Sequence, residues 1–106
     1  MIKTLSLLRR KPEMTREEFQ RWWLEEHVLL GKKIPGIRKY VVSFTIGSTT
    51  HEDDPPFDGI AELWWDDREA LQHGWFESPE GRAAIADSYA NVSDRLVLIV
   101  EEHQIL

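Results

Sequence analysis

Apolar and polar positions along the chain divide it into short blocks with different periods. The first block, "IKTLSLLRR", is apolar and β-capable and stops just before Pro12, which cannot continue a paired strand. It predicts a strand over Ile2–Arg10. "MTREEF" then reads as a helix start. Thr15 caps, Glu18 completes a capping box three residues on, and Met14 and Phe19 have the spacing of a hydrophobic staple. The helix is expected over 16–30, closing near Gly31, with the turn Ile34-Pro35-Gly36 after it. "IRKYVVSFTIG", rich in β-branched and aromatic residues, predicts strand two over 37–46. A polar loop with two adjacent prolines follows, longer than most hairpin connections. "IAELWWD" predicts strand three. Asp66 and Glu69 form a second capping pattern, and Ser78 with Pro79 a third. Two short helices are therefore expected, over 67–75 and 79–90, with a break at Gly74. "RLVLIVEEHQIL" closes the chain as strand four.

The order β-α-β-β-α-β predicts an α+β, ferredoxin-like subunit: an antiparallel sheet with its helices on one face. Strands two and three do not alternate cleanly, as a sheet with one open face should. Tyr40, Val42 and Phe44 stand against Val41 and Thr45, and Ile60 and Trp64 against Ala61, Leu63 and Trp65. The second face therefore needs cover, and a second copy of the chain is the simplest cover. Five tryptophans and four phenylalanines in 106 residues argue the same way.

Composition narrows the function classes. The length suits one domain, 1–106. A net charge of −6 argues against the basic footprint that nucleic acid requires. The charge is uneven: residues 1–50 carry ten Lys/Arg and five Asp/Glu, and residues 51–106 carry three and fourteen. The absence of cysteine excludes disulfides, a thiol nucleophile and Cys-based metal sites, and fits a reducing cytoplasm. The first residues are charged too soon for a signal peptide, and no apolar run approaches membrane-spanning length. No Gly-rich phosphate loop and no helical histidine pair is present, so neither a cofactor nor a metal is expected.

Chemistry concentrates in "WWLEEHVLLGKKIPGIRKY". On a wheel of about 100° per residue from Phe19, Trp23 falls near 40°, Trp22 near −60° and His27 at roughly 80°, the edge of the stripe. Glu26, at about −20°, lands in its middle, where an unpartnered carboxylate is costly. An imidazole and a carboxylate beside indole rings, with Tyr40 on the next strand, can make an acid–base site in an apolar pocket. Spacing alone leaves a structural histidine, bonded to a backbone carbonyl, equally open. Trp64, Trp65 and Trp75 read as core or interface residues that can double as pocket walls, and Glu62 can face water or a cavity.

The segments "KPEMTREEFQRWW", "EH", "IPGIRKY", "FDGIAELWWDD" and "SPEG" occur in the order and spacing of the EthD family of dimeric α/β-barrel proteins, which this chain resembles over nearly its whole length. The resemblance implies a ferredoxin-like subunit whose sheet packs on a partner's sheet to form a barrel, with a pocket between sheet and helices. Family members include methylmuconolactone methylisomerase, a cofactor-free isomerase of aromatic degradation, and fungal dehydratases acting on polyketides. The resemblance implies His27 and Tyr40 as pocket residues.

The combined expectation is a cytoplasmic homodimer binding a small hydrophobic or aromatic ligand, without nucleic acid, membrane or cofactor. It would be an isomerase or dehydratase acting by proton transfer on a cyclic compound. His27 would be the acid–base group, Tyr40 would orient the substrate, Trp23 and Trp64 would wall the pocket, and Glu26 or Glu62 would tune the imidazole. A non-catalytic binding dimer and a cofactor-independent monooxygenase are the alternatives.

Overall fold

The computed structural model describes residues 1–106. Strands β1 (Ile2–Arg10), β2 (Lys39–Phe44), β3 (Gly59–Trp65) and β4 (Val92–Glu101) form one sheet in the order β2-β3-β1-β4. Every neighbouring pair is antiparallel. Helix α1 spans 16–31, α2 spans 68–77 and α3 is Pro79–Asn91. This is the ferredoxin-like α+β arrangement that the order of blocks predicts. No helix is long and apolar enough to cross a membrane.

The start of α1 forms as its sequence dictates. Thr15 Oγ1 accepts from the Glu18 backbone N–H at 3.1 Å, and Glu18 Oε1 accepts from the Thr15 N–H at 2.9 Å. Met14 packs against the core cluster. Beyond Trp22 the helix departs from a 3.6-residue period. Its turns are α-helical over Arg16–Trp22, widen to a π turn over Trp23–His27, and return to α over Val28–Gly31. The Val28 N–H reaches back five residues to the Trp23 carbonyl. A π turn fits an extra residue into the coil. Every later side chain is thereby set back around the axis. His27 moves into the buried stripe, and Glu26 moves off it to solvent. The expected burial of Glu26 does not occur.

Helix α2 carries a second π turn, Gln72–Glu77, whose last bond runs from the Ser78 N–H to the His73 carbonyl at 3.0 Å. The expected break at Gly74 falls instead at Ser78, which caps α3 with Pro79 at its first position. The α2 cap is Asp67, which accepts from the Ala70 N–H at 2.8 Å. Asp66 is not the cap because it pairs with Arg38 at 2.7 Å. Strand β4 begins at Val92, three residues earlier than its apolar run, and residues 102–106 lie beyond it. The Pro35-Gly36 turn needs glycine, since Gly36 has φ 89°, in the left-handed region.

Leu8, Phe19, Trp22, Trp23, Ala61, Leu63, Trp65, Leu71 and Trp75 form the core between the helices and one sheet face. On β1 the residues facing the helices are Thr4, Ser6 and Leu8; on β3 they are Gly59, Ala61, Leu63 and Trp65. The register puts Lys3, Leu5 and Leu7 opposite Val100, Leu98 and Leu96 on the other, uncovered face, where Ile60, Glu62 and Trp64 also lie.

Candidate functional site

A cavity opens between α1, α3 and the helix-covered face of the sheet. Its lining includes Trp23, His27, Tyr40, Ser6, Ser88 and Arg95. The enclosed space is about 30 Å³, room for a water or two, so a ring-sized ligand enters only as the lining moves.

His27 is held on three sides. Its ring stacks on Trp22, with centroids 4.7 Å apart and planes 27° apart, and meets the edge of Trp23 at 6.2 Å. Nδ1 lies 2.8 Å from Asp87 Oδ2. The other Asp87 oxygen accepts from Asn91 Nδ2 at 3.2 Å, and the same amide donates to the Asp87 carbonyl at 2.9 Å. The chain Asn91–Asp87–His27 fixes the imidazole plane. With an ionised carboxylate at Nδ1, that nitrogen carries the proton and Nε2 has a free lone pair. Burial pushes the His27 pKa down, the Asp87 hydrogen bond and charge pull it up, and the charge of Arg95 lowers it further; the net direction is down. The ring is therefore neutral at pH 7 and able to accept a proton.

Tyr40 enters from β2. Its hydroxyl accepts from Trp23 Nε1 at 3.3 Å, which leaves its own O–H free to donate. Burial raises the Tyr40 pKa, so the phenol stays protonated at neutral pH. Gly31 makes room for this ring: a Cβ there would lie 2.7 Å from Tyr40 Cε2. Ser6, buried in the middle of β1, faces the same space and makes no side-chain hydrogen bond within the protein.

Of the residues singled out from sequence, His27, Tyr40 and Trp23 come together here. Trp64 and Glu62 do not. They sit on the opposite face of the sheet, where Glu62 pairs with Lys3 at 2.9 Å and the Trp64 indole donates to Glu102 at 2.9 Å. The wall that Trp64 was expected to form is supplied from the helices, and Trp65 is the one of the pair that turns inward. Glu26 is exposed on α1 and makes no side-chain hydrogen bond. The carboxylate that reaches the imidazole is Asp87, which sequence reasoning missed. Its one signal was indirect. Gly81, Ala84 and Ser88 recur at helical spacing as small buried residues, marking a closely packed face that Asp87 flanks. The remaining histidines are exposed: His73 lies 3.5 Å from Glu77 and His103 3.1 Å from Glu101, while His51 contacts Thr50.

An antiparallel four-stranded sheet, helices on one side only, and a cavity between the layers define a ferredoxin-like α+β protein. The EthD domain model matches residues 11–95, most of the chain, and the protein belongs to the EthD family. Solved structures agree. An EthD-family protein of Bacillus halodurans C-125 (BH0200) is 29% identical, with a TM-score of 0.77 over 97% of this chain and 100% of that one. A hydroxynitrile lyase from Passiflora edulis shares the fold at 11% identity, with a TM-score of 0.77 over 99% and 95% of the two chains. A dimeric ferredoxin-like protein of unknown function from Thermobifida fusca does so at 18% identity, with a TM-score of 0.72 over 93% and 88%. No curated protein matches the sequence.

Proposed function

We propose that this protein is a cofactor-free acid–base enzyme. Its substrate would be a small cyclic compound with an enolisable carbonyl, of aromatic-derived or polyketide-like type. The observation that carries the reading is the Asp87–His27 contact of 2.8 Å inside a cavity that Tyr40 also lines. His27 Nε2 removes a proton from the carbon beside the carbonyl. The Tyr40 O–H donates to the carbonyl oxygen as negative charge develops there. Asp87 holds the tautomer and offsets the charge of the imidazolium. The imidazolium then returns the proton, either to another carbon, which completes an isomerisation, or to a departing hydroxyl, which completes a dehydration. Trp23 supplies an apolar wall.

The uncovered sheet face supports the partner reading. Leu5, Leu7, Ile60, Trp64, Leu96 and Leu98 share it, and Leu96 and Leu98 are each 43% exposed. A second copy of the chain, packing sheet on sheet, buries this patch.

The test of the chemistry is hydrogen exchange into a probe. Enolisable cyclic ketones and lactones are incubated with the protein in heavy water, and deuterium entry beside the carbonyl is followed by NMR. Catalysed entry that His27→Ala abolishes is the expected result. Saturable binding of a probe with no exchange assigns the cavity to ligand carriage instead.

A further inference from the structure

Arg95 is the cation of the cavity, and it has no partner. It sits on the helix-facing side of β4, opposite Leu8 in the strand register, and lines the same space as His27 and Tyr40. Its guanidinium lies 4.9 Å from the Tyr89 ring centroid and 5.9 Å from that of Trp75. It makes no ion pair and no side-chain hydrogen bond, and Nε is buried without an acceptor. The acidic side chains nearby are engaged elsewhere. Asp87 is held by His27 and Asn91, and Asp94 accepts from the backbone N–H of Arg95 at 2.8 Å. A guanidinium offers five donors in a rigid fork and is always charged, so leaving it unpaired beside a dry cavity is costly. Nineteen Asp/Glu occur in the chain, yet none is placed to neutralise this group. The neighbouring ligand-facing groups, His27 and Tyr40, are uncharged at neutral pH, so the lining carries net positive charge.

We infer that Arg95 is a substrate-binding residue and that the ligand is a carboxylate: a small cyclic keto acid whose carboxylate the guanidinium receives. The aromatic rings flanking Arg95 restrict the fork and keep water from it, which strengthens a bidentate pair. This names the substrate class for the reading above and rests on it only in using the same cavity.

The probes are 3-oxocyclopentanecarboxylate and the matching carboxamide, which share size and ring and differ in charge. Binding is measured by NMR titration. The acid should bind wild-type protein about tenfold to a hundredfold more tightly than the amide, the worth of a charged hydrogen-bonded contact. Arg95→Met should erase that preference while leaving amide binding unchanged, and Arg95→Lys should keep part of it; thermal unfolding of each variant confirms the fold. Equal affinities in wild type, a preference that survives Arg95→Met, or no binding of either probe at millimolar concentration overturns the inference. Deuterium entry separates it from the proposed chemistry. Arg95-dependent binding of the acid without exchange leaves the carboxylate site standing and removes the catalysis; exchange at equal rates in acid and amide does the reverse.

Discussion

The two faces of the sheet invert the usual rule. Along β1 the residues turned toward the helices are Thr4, Ser6 and Leu8, while those turned away include Leu5 and Leu7. A sheet covered on one side ordinarily places its polar residues outward. Here the covered face holds two hydroxyl side chains, a histidine–carboxylate pair and an unpaired arginine, and the uncovered face holds a sheet of leucines around Trp64. The covered face is therefore shaped around a cavity and its polar groups. The uncovered face has the composition of an interior and is completed by packing against another surface. Each face accounts for the other: what the helices leave unfilled is the site, and what they leave uncovered is the interface.

The comparison breaks first at the uncovered face. Leu98→Glu puts an unpaired charge in the middle of the leucine patch, where it meets its own symmetry mate across a sheet-on-sheet contact. Burial of such a charge costs several kcal/mol. Sedimentation should shift from dimer to monomer; an unchanged dimer would move the interface elsewhere.

Next in size are the effects at the site. His27→Ala should lower exchange into a ketone by about 10²–10⁴-fold, and Tyr40→Phe by up to about 10²–10³-fold. Trp64→Phe, on the far face, should leave exchange within about twofold once the dimer is intact, a result within the ±0.5 kcal/mol of an uninvolved position. A Trp64 effect as large as that of Tyr40 would deny that the two faces have separate tasks.

A smaller effect is the dependence of stability on pH. Burial lowers the His27 pKa below 6.5 in the folded protein, so the unfolded chain binds the proton more readily. The stability it contributes is complete above the unfolded value and falls as pH drops through the folded one. Chemical denaturation at pH 7 and pH 5 should show a loss for wild type that is reduced in His27→Gln. The smallest effect is expected of Glu26→Gln, which should change neither exchange nor stability by more than about 0.5 kcal/mol, since that carboxylate is in solvent.

Much of the fold was legible because its signals are local. The strand over Ile2–Arg10 and the Thr15–Glu18 cap depend on neighbours within a few residues, and both form as read. The faces of Trp64 and Trp65 were not legible, because strand three is apolar at both parities and only register decides which indole turns inward. Glu26 was misplaced for a different reason. The wheel assumes one period throughout, and the π turn over Trp23–His27 changes it at the residues that matter. Asp87 lies 60 residues from His27, on a helix whose apolar signal is weak because its buried face is built of Gly81, Ala84 and Ser88. A carboxylate brought to an imidazole by packing of two helices leaves no spacing in the sequence.

The central claim is that Asp87 keeps His27 neutral with its proton on Nδ1 and its Nε2 lone pair turned to the cavity. Long-range nitrogen–proton NMR of the His27 ring at pH 7 reads this directly. The account predicts a protonated Nδ1 and an unprotonated Nε2, with the pattern changed in Asp87→Asn. A protonated Nε2, as the other tautomer or as imidazolium, would contradict it.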